Sequence, residues 1–332
     1  MASEQHDPGR PAAPAATPSL RSLQIALRSE RLFGGLAGEL SRIREAARDA
    51  AVSDDLDKLR ARRPSGSLAE DWADRIDTLG DLALDSRARR AAFPEMVEAF
   101  SLPSLEQVIV NKQSWCALDQ HAISMAGQLF RGNRLVATWH REVLLDAGVA
   151  IHHLLMVDPA FRGTGVAPAL LDQGLELYDR LGLQVIVLNA ALETGRWHWA
   201  RCGFEFNPDD AALVRAYFDA AVSMLGLPID TSGFRTASEF AMAAPEVTVS
   251  MARLSSLAGL EGGRRIRELA AANDIDFYAE IPAAKAIMLT GPPWGGHLLL
   301  QGPQRPVFDV YVQSRLEAAR RLGGQHPWLS CQ

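Results

Sequence analysis

The hydrophobic pattern changes period twice between Ala150 and Leu188. Ile151 to Val157 is mostly apolar and stops at Asp158-Pro159, where proline disfavours further ladder pairing; the run predicts a buried strand. From Val166 the apolar residues return at helical spacing, as Val166, Leu170, Leu171, Leu175, Tyr178 and Leu181. Pro168 falls in the first turn, where its missing N–H costs nothing, and Gly182 is the expected stop. Leu183 to Leu188 is a second apolar run, consistent with a parallel neighbour of the first strand. Strand, helix and strand make a βαβ unit with a right-handed crossover.

The same reading extends in both directions. Residues 1–19 are rich in Pro and Ala and predict a disordered tail. Residues 20–103 read as helical. Apolar positions from Leu20 to Ile43 suit one or two amphipathic helices. Ser67-Leu68-Ala69-Glu70 is a capping-box pattern before Trp72, Ile76, Leu79 and Leu82, and Phe93 to Phe100 is a further short helix. Arg60, Arg62, Arg63 and Arg87, Arg89, Arg90 read as solvated basic faces. Strand patterning starts near Ser104. Leu105 to Val110 predicts one strand, and Ala122 to Phe130 and Arg134 to Val143 a hairpin around Arg131-Gly132-Asn133. Thr194 to Arg201 predicts a helix, and Phe204 to Phe206 the start of a strand. In the C-terminal part, 207–332, helices are expected from Asp209 to Leu225 and from Glu261 to Asn273. Ala286–Thr290 and His297–Leu300 suggest a hairpin flanking Gly291-Pro292-Pro293-Trp294-Gly295-Gly296, which reads as a stiff turn or as a pocket rim. Val307 to Val312 suggests a strand, and Gln313 to Leu322 a closing helix. The C-terminal part is expected to complete the sheet or form a second subdomain.

Composition narrows the function classes. The chain has 332 residues, 48% of them hydrophobic and 22% charged, enough for a substantial core. A net charge of −6 argues against nucleic acid as the main partner. Three widely spaced cysteines, Cys116, Cys202 and Cys331, suggest neither a disulfide framework nor a zinc site, and no metal is expected. With no apolar run of membrane-spanning length and no leader-like run at the start, the expected setting is cytoplasmic, with no membrane partner.

The chemistry concentrates where the strand turns into the helix. Gly163 and Gly165 leave the backbone uncovered, and the amides at the helix start carry the positive end of its dipole. Arg162 adds charge at the rim. The expected ligand is a phosphate or diphosphate, the alternative a tight turn that binds nothing. No Lys-Ser/Thr pair follows the glycines, so this is not a P-loop, and Pro168 stands where a dinucleotide fingerprint needs its third glycine.

Arg162-Gly163-Thr164-Gly165-Val166-Ala167 resembles the Arg/Gln-x-x-Gly-x-Gly/Ala signature of the GNAT superfamily of N-acetyltransferases. Val157-Asp158-Pro159 resembles the Val-x-Pro that precedes it, and Trp199-Ala200-Arg201-Cys202-Gly203-Phe204 the family's aromatic helix ending in Gly-Phe. The resemblance spans roughly residues 115 to 206. It implies an α/β fold: a mixed sheet around the βαβ unit as a GNAT-like core over 104–206, with a helical N-terminal addition and an extended C-terminal part. It implies acetyl-CoA or another acyl-CoA as co-substrate. Residues Arg162, Gly163, Thr164, Gly165, Val166 and Ala167 would hold the diphosphate, and backbone groups of Met156 and Val157 the pantetheine arm.

Transfer of an acyl group to an amine needs a proton acceptor, a donor for the carbonyl and a route for the thiolate. His152 and His153 alternate across the expected strand, and histidine titrates near neutral pH. His153 stands where many GNAT enzymes carry a glutamate base and is the first choice for a catalytic base over His152; the alternative is a hydrogen-bonded structural histidine. Trp199 replaces the tyrosine that in many of these enzymes protonates the thiolate. The expected function is N-acyl transfer by direct attack to a primary amine, on a small molecule, peptide or protein, with an acyl carrier protein as a further possible donor. A non-catalytic CoA-binding or protein-interaction module is the competing reading.

Overall fold

The computed structural model describes residues 66–79, 91–109, 122–190 and 195–322. The expected tail, the helices between Leu20 and Ile43 and both basic clusters, at 60–63 and 87–90, lie outside the described residues. The first described helix is α1 (Leu68–Leu79), started by Ser67, whose hydroxyl accepts from the Glu70 N–H at 3.3 Å. The Glu70 carboxylate reaches back to Gly66 rather than to the capping serine itself. Trp72 and Ile76 bury the apolar side of α1, and Phe93 packs edge-on against Trp72. The short α2 (Pro94–Ala99) follows.

The sheet is then laid down by β1 (Glu106–Ile109), β2 (Ala122–Arg131), β3 (Arg134–Leu144), β4 (Val149–Val157), β5 (Val185–Asn189) and β6 (Glu205–Phe206). Between β4 and β5 stands α3 (Val166–Arg180), and between β5 and β6 stands α4 (Gly195–Arg201). β1 to β4 pair antiparallel in succession, whereas β4 and β5 are parallel, as the intervening helix requires. Phe100, Trp139 and Tyr178 stack from α2 through β3 to α3, with Phe100 4.7 Å from Trp139 and 6.5 Å from Tyr178 between ring centres.

The C-terminal part contains α5 (Pro208–Leu225), α6 (Ala237–Ala241), β7 (Thr248–Ser250), α7 (Met251–Leu257), α8 (Gly259–Ala272), β8 (Glu280–Pro282), α9 (Ala283–Thr290), β9 (Gly295–Leu299) and α10 (Arg305–Leu322). β9 returns to the main sheet and inserts between β5 and β6, giving the order β1-β2-β3-β4-β5-β9-β6. β7 and β8 form a separate two-stranded sheet. Around it Val249, Met251, Leu254, Ile266, Leu269 and Ala283 gather into a second, smaller core. The whole is a mixed α/β fold with a seven-stranded sheet and ten helices among the described residues.

Two expectations need correcting. Ala286–Thr290 is not a strand but the end of α9, so β9 has no hairpin partner there. Nearly every residue of α9 is buried, which removes the polar positions that would have shown a helical period. Val307–Val312 is likewise helical, part of α10. Its β-branched residues favour a strand locally, but Phe308, Val312, Leu316 and Ala319 are the buried positions and recur at helical spacing. α10 lies along α3, held by Arg305 to Asp179 at 2.9 Å and by Gln313 to Asp172 at 3.0 Å. Trp294 of the glycine- and proline-rich turn is buried and packs edge-on against Phe206 at 4.9 Å.

Candidate active site

The site begins with an irregularity in the ladder between β3 and β4. His140 pairs with Leu154 but Arg141 pairs with His152, so His153 is an extra residue without an opposite number. This is a β-bulge, and it separates the two histidines. The His152 ring goes to the α3 side, where its Nε2 meets the Tyr178 hydroxyl at 3.0 Å. The His153 ring goes to the other side, where its Nε2 meets Glu142 Oε2 at 3.0 Å. Arg141 staples the irregularity: its Nη1 donates to the carbonyl of His140 on its own strand and to that of Leu154 across the gap.

The surroundings treat the two rings differently. His152 is held well below the usual imidazole range, first by burial and then by the charge on Arg141. It is neutral at working pH and a poor proton acceptor. His153 has a carboxylate: the Glu142 side chain is 1% exposed and the His153 side chain 8%. Such a carboxylate fixes the orientation of the ring. His140 lies beside them, its ring centre 4.4 Å from that of His153 and its Nε2 2.9 Å from the Ser124 hydroxyl. Burial, reinforced by His153 and Arg141, keeps His140 neutral. The buried His140 and Glu142 and the half-buried Ser124 and His153 thus form a polar row on the face opposite α3.

Beyond the bulge β4 parts from β5. The parallel pairing runs only from Val149–Val185 to His152–Leu188. Past Asn189 the chain turns to β9, the Ala190 N–H bonding the Trp294 carbonyl at 2.8 Å. On that side no described strand pairs with residues 153–157. Backbone parity shows which groups face the opening. The Asp158 N–H donates to the Val136 carbonyl of β3 at 2.9 Å, so Asp158 and Met156 face β3 while Val157 and Leu155 face away from it. Met156 is seated opposite Thr138 in the ladder, and the Val157 carbonyl is approached by Arg162 Nε at 3.5 Å.

Next comes the turn. Gly163 and Gly165 hold φ of +76° and +91°, a region that side-chain-bearing residues rarely enter. A Cβ on Gly163 would meet nothing within 4 Å, so that position faces open space. The first intrahelical bond of α3 is from the Ala169 N–H to the Gly165 carbonyl at 3.0 Å. The amides of Gly165, Val166 and Ala167 therefore have no acceptor within the helix, and Pro168 supplies none to satisfy. Gly165 as N-cap contributes no side-chain bond either. Thr164 is turned inward, its hydroxyl donating to the Phe161 carbonyl at 2.6 Å. Arg162 is tied back to the Ala272 carbonyl at 3.2 Å, the C-terminal end of α8. A bare set of amides at a helix start suits a diphosphate.

Trp199 reaches the other flank of His152, with ring centres 6.2 Å apart. Neither nearby phenol stands in as an acid: burial pushes the Tyr178 hydroxyl up, and burial with Cys202 beside it does the same to Tyr311. Glu142, Arg141, His140 and Ser124 were not singled out from the sequence. The signal was there in His140-Arg141-Glu142, three polar residues running through an otherwise apolar strand, each of which demands a buried partner.

No curated protein and no solved structure matches the chain. Residues 87–204 match the model of the acetyltransferase (GNAT) family, a stretch that runs through the bulged strand, the glycine turn and α4 to Phe204. Over those residues, about a third of its length, the chain is similar to the acetyltransferase (GNAT) family.

Proposed function

We propose that this protein is an N-acyltransferase that moves an acetyl or longer acyl group from an acyl-CoA to a primary amine by direct attack, with His153 as the base. The observation that carries the reading is the His153–Glu142 contact, 3.0 Å long and buried at the bulge where β4 opens. The turn amides of Gly163, Gly165, Val166 and Ala167 would hold the diphosphate. Val157, and Leu155 rather than Met156, would offer backbone groups to the pantetheine arm, because their parity faces the opening. Acyl-CoA supplies an activated carbonyl and a good leaving group. His153 takes the proton of the attacking amine, and Glu142 holds the resulting imidazolium. His140 packs its ring against that of His153, and the Ser124 hydroxyl holds His140 in place at 2.9 Å. The thiolate leaves without a tyrosine, Trp199 lining its exit. The acceptor is an amine on a small molecule, peptide or protein, and a carrier protein is an alternative donor.

Trp199 favours a second reading, a CoA-binding module without turnover. Thiol release from acyl-CoA across a panel of amines separates the two. His153→Ala is expected to lower kcat/KM by about 10²-fold or more while the CoA Kd stays within about twofold. Tight CoA binding with no amine turned over by the wild-type protein would give the second reading the case.

A further inference from the structure

We infer that the outer side of α4 carries a second anion site, built by Arg201, Lys285 and Arg315 to take a phosphate monoester. Trp197 and Arg201 are four residues apart and share a face of α4, while Trp199 projects from another face toward His152. The Arg201 guanidinium lies 5.0 Å from the centre of the Trp197 ring and 5.8 Å from that of Tyr311. Lys285, from α9, sits 5.2 Å from the Trp197 ring centre. Arg315, from α10, sits 5.4 Å from that of Tyr311. Three elements thus bring three cations together over two rings, with all five side chains half-buried.

What this group lacks is negative charge. None of the three cations has a carboxylate within ion-pair distance among the described residues. Arg305 and Arg75, of comparable burial, are matched by Asp179 and Asp309 and by Asp71 and Glu95, and the half-buried Arg162 and Arg215 donate to backbone carbonyls instead. Their mutual repulsion is felt: burial first and Arg315 second hold the Arg201 guanidinium down, and burial with Arg201 does the same to the Lys285 amine. Aromatic faces soften the burial of a cation without neutralising it. Two guanidinium forks and one ammonium match a dianion with several oxygens, which is what a phosphate monoester presents.

Two sources share that chemistry: the 3′-phosphate of the co-substrate and the phosphate of a separate ligand. The probe is inorganic phosphate, added to the full-length protein in phosphate-free buffer and compared with chloride at equal ionic strength. Phosphate is expected to raise the melting temperature by about 2 °C or more. Measured in a Gly165→Val background, which removes anion binding at the turn, the increment should persist, and it should vanish when Arg201→Gln/Arg315→Gln is added. Should the double variant fail to fold, Lys285→Gln, titrated with phosphate by calorimetry, is expected to bind at least threefold more weakly than wild type. The same phosphate response in wild type and variants overturns the site. Titration with CoA and with dephospho-CoA then identifies the source. A preference for CoA lost in the variants assigns the site to the co-substrate; equal affinities beside an intact phosphate response assign it to a separate ligand. The phosphate readout does not depend on acyl transfer, so it can succeed or fail independently of that reading.

Discussion

At the scale of single residues, the site turns on which of two adjacent histidines keeps a carboxylate. His152 and His153 differ by one position, yet one faces a phenol beside a buried guanidinium and the other a buried glutamate. Glu142 acts through His153 and is a positioning residue. Glu142→Gln keeps the shape and removes the charge. It is expected to lower kcat by about tenfold to a hundredfold while the CoA Kd stays within about twofold, because the ring loses the carboxylate that orients it. An unchanged kcat, or one that falls together with CoA affinity, would assign Glu142 a purely structural part. Gly165 works through its backbone. With φ at +91° and its amide at the mouth of α3, Gly165→Val is expected to weaken CoA binding at least tenfold in calorimetry. Unchanged affinity would show that the turn does not hold the ligand.

Among the elements, β4 is one whose sequence was nearly sufficient and whose key feature was not visible. Its apolar run, its stop at Asp158-Pro159 and the helical return at Val166 are all legible, because strand and helix periods differ. The bulge is not. It arises from register against β3, and Glu142 becomes meaningful only once that strand is laid beside β4. α9 and α10 defeat the periodicity argument for opposite reasons, one being buried nearly all round and the other carrying β-branched residues whose local preference tertiary packing overrides. Arg141 is the device that holds the irregularity. It is fully buried, burial pulls its guanidinium down to about 10, and its Nη1 replaces ladder bonds that the extra residue interrupts. Arg141→Ala should cost about 3 kcal/mol of unfolding free energy in urea, since it opens a void and strips two carbonyls. A loss below about 0.5 kcal/mol would mean the bulge needs no staple.

For the molecule as a whole, the C-terminal part supports the site as well as extending the sheet. It lends β9 to the sheet, and it fixes Arg162 through Ala272 and Arg196 through Leu289 and Gly291. None of these contacts is local in sequence, which is why none was legible. No described helix is long and apolar enough to cross a membrane. Burial also sets a pH dependence on the fold. His140 and His152 lie well below 6.5 when folded, and His198 falls to about 4. The unfolded chain takes up protons near 6.5 that the folded chain refuses. These groups therefore leave stability whole above that pH and erode it as pH falls toward 4. The urea midpoint should drop steadily from pH 7.5 to 5, by on the order of a few kcal/mol in all; a flat profile would contradict the buried neutral imidazoles. The most direct measurement is a crystal structure grown with CoA. The expected result is a diphosphate on the amides of Gly163, Gly165, Val166 and Ala167, with the arm beside Leu155 and Val157 and its sulfur approaching the bulge at His153. CoA bound elsewhere, or that turn left without it, would contradict the acyl-transfer site.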